Sequence, residues 1–141
     1  MNVGLRKSIR ERWLRALFEF TDITFQHKVW LEGFYPDVAS NYTEALCSYF
    51  DDLDLNEGYD NFVNQGFASA QEAAIVIPFH KMLDNYIGSI NKEGLTDIVV
   101  LNDPDWHEVV NFGFATWQQL KAHLNNTEEQ GFMLQLEDKY L

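Results

Sequence analysis

The sequence predicts a mainly α-helical single domain, a bundle of five or six helices with at most one short β element. Three observations carry that expectation. Apolar residues recur at helical intervals in at least four segments, whereas only "TDIVVL" (96–101) has the β-branched look of a strand. Two helix-start signatures stand out, Ser-x-x-Glu at 69–72 and Asn-Asp-Pro-Asp at 102–105. The 141 residues are 46% hydrophobic and 15% aromatic, enough to bury a core, and no repeat, low-complexity tract or linker divides them.

Each element follows in order. Between residues 5 and 31, Leu5, Ile9, Trp13, Leu17, Phe20, Phe25 and Val29 recur at helical spacing. The β-branched "TDIT" (21–24) leaves one long helix and two shorter ones both open. "EGFYPD" makes a turn, with Gly33 as stop and Pro36 as restart. From 37 to 53, Tyr42, Ala45, Leu46, Tyr49, Phe50 and Leu53 mark a second amphipathic helix. The capping box Ser69 to Glu72 opens a third, in which Ala73, Val76, Ile77, Leu83 and Ile87 share a face with His80 and Pro78 predicts a kink. After the strand-like run 96–101, Asn102 or Asp103 caps a long helix that reaches Leu124. It carries Pro104 in its first turn and Trp106, Val110, Gly113, Trp117 and Leu120 along one stripe. The tail "FMLQLEDKYL" is a last helix or a strand paired with 96–101.

Charge is unevenly distributed. The formal net charge is −12. Residues 1–33 hold six basic groups against four acidic ones, and residues 34–141 hold four against eighteen. Such a chain repels phosphate, which argues against direct contact with nucleic acid or an anionic membrane and favours fast encounter with a basic protein. The lone Cys47 excludes an intrachain disulfide and suits a reducing compartment, with a small buried hydrophobe as its expected role. No signal-like or membrane-spanning run is visible, so a cytoplasmic protein is expected and the sequons at Asn41 and Asn125 carry no weight.

The most concentrated acidity is "DDLDLNEGYD" (51–60), five carboxylates with no lysine or arginine among them. Asp52, Asp54 and Asn56 alternate like the start of a calcium loop, but position 6 is Glu57, the glycine comes one place late at Gly58, and position 12 is Val63. That spacing leaves the coordination shell open, and no metal or other cofactor is expected. The histidines His27, His80, His107 and His123 form no ligand pair, and no nucleophile elbow, phosphate-binding glycine loop or Cys-x-x-Cys motif occurs. An enzyme is therefore not expected. His80 reads as a core histidine bonded to a carbonyl freed by Pro78.

Carboxylates at a helix C-terminus oppose its dipole, by about 0.3–1 kcal/mol each when exposed, so Asp51, Asp52 and Asp54 do nothing obvious for stability there. They form the leading candidate surface for a basic partner, together with Glu57, Asp60 and Tyr59 as the nearest aromatic anchor. Asp103, Asp105 and Glu108 are a second, weaker candidate. Of the 21 aromatic residues most belong to core stripes, while Trp30, Phe34, Tyr59, Phe62 and Phe67 lie in or beside turns where an interface could use them.

Over residues 42–86, the Tyr49-Phe50 helix end, the acidic segment and the Ser69 to Ala73 helix start resemble small immunity proteins of bacterial contact-dependent inhibition and related polymorphic toxin systems. One such group has a histidine–glutamine–aspartate–tryptophan run after the Tyr-Phe; this chain has Asp51, Asp52, Leu53, Asp54, so no toxin identity carries over. The resemblance implies a cytoplasmic, non-enzymatic inhibitor that binds the toxic domain of a sibling-delivered toxin, often a nuclease with a basic active site. The alternative is an intracellular regulatory or scaffold protein that binds another basic partner. Partner identity, stoichiometry and self-association stay open.

Overall fold

Eight α-helices and one π-helical segment, with no strand, make up the described part of the structure, a computed structural model that describes residues 2–89 and 94–141. Helix α1 (Val3–Phe18) starts where the Asn2 side chain accepts from Leu5 N. It stops before Thr21 and Asp22, whose short polar side chains bond the backbone locally: Thr21 Oγ1 donates to Phe18 O, and Asp22 accepts from Phe25 N. Asp22 thereby opens α2 (Ile23–Gln26), which runs into the π-helix (His27–Glu32) that Gly33 closes at φ 58°. Residues 5–31 are thus two helical pieces. Helix α3 (Tyr42–Phe50) begins at the Asn41 cap, later than the expected 37, because residues 34–41 run as turn and extended chain.

After the acidic turn come α4 (Asp60–Asn64) and α5 (Ala70–Gly88). Both halves of the α5 capping box form, Glu72 N to Ser69 Oγ at 3.1 Å and Ser69 N to Glu72 Oε1 at 2.7 Å. Pro78 lies exposed within α5, which continues past it for ten residues. Helix α6 (Asp97–Leu101) replaces the expected strand. Five residues are too few for periodicity to separate strand from buried helix. Val100 and Leu101 face the core and Ile98 and Val99 stay exposed. Helix α7 (Pro104–His123) is capped by Asp103, and α8 (Glu128–Tyr140) makes the tail helical, so the expected β element is absent among the described residues. The helix count exceeds five or six because the short pieces α2, α4 and α6 escape a period-based reading.

One hydrophobic cluster draws side chains from all eight helices. At its centre α5 and α7 run antiparallel: the Tyr86 ring meets Trp106, while Phe79 reaches Gly113 seven residues further along α7. Gly113 is where α7 presses on the α1–α2 junction, since a Cβ there would sit 2.6 Å from Phe20 O and 3.0 Å from Phe79 Cε1. Each tryptophan indole donates to a defined acceptor: Trp13 to Tyr59, Trp30 to Glu19, Trp106 to Gln26 and Trp117 to Glu137. No described helix is long and apolar enough to cross a membrane.

Candidate functional site

The acidic turn alternates in and out. Asp51, Asp52, Asp54, Glu57 and Asp60 are exposed, whereas Leu53, Leu55 and Tyr59 are buried at 5%, 0% and 3% exposure. Backbone bonds wind it tightly: Asp52 N to Cys47 O, Leu55 N to Phe50 O and Gly58 N to Leu55 O, at 2.9, 2.9 and 3.0 Å. Asp54 and Gly58 take left-handed conformations, φ 55° and 98°, which re-aim the chain so that the leucines fall inward and the carboxylates outward.

Two asparagines hold carboxylates without neutralising them. Asn56 Nδ2 donates to Asp51 Oδ1 at 3.0 Å and to Phe50 O at 3.2 Å, and Asn61 Nδ2 donates to Asp54 Oδ2 at 3.2 Å. None of the five acids is in an ion pair among the described residues. Lys7, Arg10, Lys121 and Lys139 are paired elsewhere, with Glu128, with Glu72 and Glu129, with Glu137 and with Asp37. Cys47, half-buried one turn before Asp51, has its thiol pushed up by burial and by the hydrogen bond to Asp51, so it stays protonated.

Tyr59 does not serve as an exposed anchor. Its ring lies against Trp13, Phe62 and His80, and its hydroxyl accepts from Trp13 Nε1 at 2.9 Å. A buried phenol needs an internal partner, and this one found it in α1. Trp30 and Phe62 are buried as well, Phe67 is half-buried, and only Phe34 of that group stands out, 61% exposed. His80 is a core residue as expected, but its partner is the Tyr49 hydroxyl, 2.8 Å from Nδ1, and not a carbonyl left by Pro78.

The second acidic group divides by role. Asp103 is structural: it caps α7 at Asp105 N and accepts from Tyr86 Oη at 2.8 Å. Asp105 and Glu108 are exposed on the first turns of α7. The two acidic surfaces are not brought together. The turn is tied to α5 through His80 and the α7 cap through Tyr86, about 9 Å apart along the helix and roughly 120° apart around it.

Sequence reasoning missed Arg10. It is 2% exposed, and all five of its N–H groups are used, on Glu72, Glu129 and Phe67 O at 2.6–2.9 Å. Its place one turn before the buried Trp13 and Leu14 was the only local signal. The Arg12 and Arg15 side chains remain exposed beside it, and both line a groove of about 280 Å³ with Ser48 and Asp52. A groove of about 590 Å³ lies between α1, residues 37–40 and α8. Its walls include Arg15, Glu19, Ser40 and Lys139, and His80 is not among them. Among the described residues no three His, Cys, Asp or Glu side chains converge as a metal-ligand set.

No curated protein and no solved structure matches the chain. A family model does, over residues 5–129, from α1 through the start of α8. The chain belongs to the family described as Domain of unknown function (DUF7945).

Proposed function

We propose that this chain is a non-enzymatic acidic binding protein, an immunity protein that neutralises a cognate basic toxin domain in the cytoplasm by covering its substrate surface. The observation that carries the reading is the turn 51–60. Five outward carboxylates sit without a cationic partner among the described residues, two of them fixed in place by neutral asparagine donors. Carboxylates held in advance lose little freedom on docking, which favours complementary binding over mere solvation. They would occupy the positions that substrate phosphates take in a basic nuclease site, so binding and substrate exclude one another. Asp105 and Glu108 on α7 offer a second contact strip, and the aromatic contribution passes from Tyr59 to exposed side chains elsewhere.

The test is co-purification with the product of the gene immediately upstream, which the proposal expects to carry a toxic domain. A stable complex that weakens with salt and abolishes the domain's activity supports the reading. An active toxic domain in the presence of excess protein refutes it. A neighbouring basic protein of no toxic activity that forms the complex instead favours the regulatory or scaffold alternative.

A further inference from the structure

Besides its inward leucines, the acidic turn is fastened to the core by a row of side-chain hydrogen bonds. Trp13 Nε1 donates to Tyr59 Oη at 2.9 Å, Tyr59 Oη lies 2.9 Å from Tyr49 Oη, and Tyr49 Oη lies 2.8 Å from His80 Nδ1. All four side chains are buried, at 0%, 3%, 0% and 7% exposure. The row joins α1, the end of the turn, α3 and α5.

Its proton order is dictated by one end. An indole N–H can only donate, so the Tyr59 oxygen accepts from Trp13 and sends its own proton to Tyr49. Tyr49 in turn donates to His80 Nδ1. That order requires a neutral imidazole with its proton on Nε2. An imidazolium carries a proton on Nδ1 and donates to Tyr49, so four hydrogens then share the three links of the row. One tyrosine hydroxyl, that of Tyr49 or of Tyr59, is left as a buried donor facing aromatic rings.

The surroundings are consistent with a neutral state. On α5 itself, Asp84 one turn on favours the charged ring, and Lys81 alongside is exposed. From α3 the ring meets Tyr49 and Phe50, and from the turn Tyr59, none of them ionic at neutral pH. The five turn carboxylates point outward. Burial outweighs Asp84 and holds the His80 pKa below its ordinary value.

We propose that His80 is a proton-sensitive latch for the acidic turn: the neutral ring satisfies every hydroxyl of the row and fixes residues 51–60, and protonation in mild acid leaves one of its tyrosine hydroxyls unpaired and loosens the turn while the α5–α7 core persists. The inference concerns the turn itself and holds whatever partner the turn meets; if that partner is the toxin domain, the complex opens in acid.

The test is backbone amide hydrogen exchange of the full chain, corrected for intrinsic rates, at pH values of about 7.5 and 5, with the His80 ring resonance followed in the same samples: carboxylates near 4 stay largely ionised over that range, whereas an imidazole held below its ordinary value of 6.5 passes from neutral to protonated. Protection of the Asp52, Leu55 and Gly58 amides is expected to fall by about tenfold more than that of α7 amides as the pH is lowered. In His80→Asn, whose amide oxygen stands where Nδ1 does and never titrates, this extra loss is expected to disappear. Undiminished turn protection in the natural protein once the His80 ring is protonated, or an equal loss in His80→Asn, overturns the proposal. Should the variant not fold, the natural protein decides: the His80 ring and turn amide resonances must titrate with one midpoint, and separate midpoints overturn it.

Discussion

Arg10 fills its whole donor capacity inside the protein, with two forked pairs to Glu72 and Glu129 and one bond to Phe67 O. Burial alone would raise the Glu72 pKa, but the Arg10 bonds and the Ser69 amide outweigh it and hold that carboxyl below its ordinary value. A carboxylate so depressed stabilises the fold above the unfolded pKa, near 4.5, and loses that contribution as pH falls through the folded value. Arg10→Met leaves Glu72 buried without its cation and is expected to cost about 3–5 kcal/mol, measured by urea unfolding at neutral pH. In that variant burial dominates Glu72, so its pKa moves above the ordinary value. The deficit should then shrink between pH 7 and pH 5, the reverse of the natural protein's acid limb. A constant deficit across that range would assign the loss to packing alone. None of this was legible locally, because the partners lie 62 and 119 residues away.

Among the elements, those with their own start signals were legible: the Ser69 box of α5 and the Asp103-Pro104 start of α7 appear where the sequence put them. Helix α6 was not, since its five residues carry a β-branched run and its helical state is settled by its neighbours. Asp97 in its first turn accepts from Tyr42 N at 2.8 Å, which ties α6 to the start of α3. The π-helix has no sequence mark either. The inward leucines of the acidic turn were readable from the Asp-Leu-Asp-Leu alternation, but the burial of Tyr59 depended on Trp13, 46 residues back. Gly113→Ala tests the closest element contact. The added methyl meets the Phe20 carbonyl, which is backbone and cannot swing aside, so a loss of about 1–3 kcal/mol is expected in thermal or urea unfolding. A neutral or stabilising result would mean that α7 sits farther from the α1–α2 junction than described.

At the scale of the whole molecule, the acidity left over from folding is concentrated where it does no structural work. Glu72, Glu128, Glu129, Glu137 and Asp37 are matched to cations, and Asp22, Asp97 and Asp103 cap or pin backbone. The turn carboxylates are matched to none among the described residues, and three of them crowd the negative end of α3. That residual field is the basis of the binding proposal, so it is also the place to challenge it. The five-fold amide variant, Asp51→Asn, Asp52→Asn, Asp54→Asn, Glu57→Gln and Asp60→Asn, should keep the fold and become slightly steadier, by up to about 1 kcal/mol for each acid removed from the helix end. Its affinity for the cognate basic domain, titrated at low and high salt, is the most direct measurement. The account predicts binding weaker by about tenfold or more at low salt, with a flatter dependence on salt and the loss mainly in the association rate. Unchanged affinity and an unchanged salt slope would contradict it and remove the turn from the function.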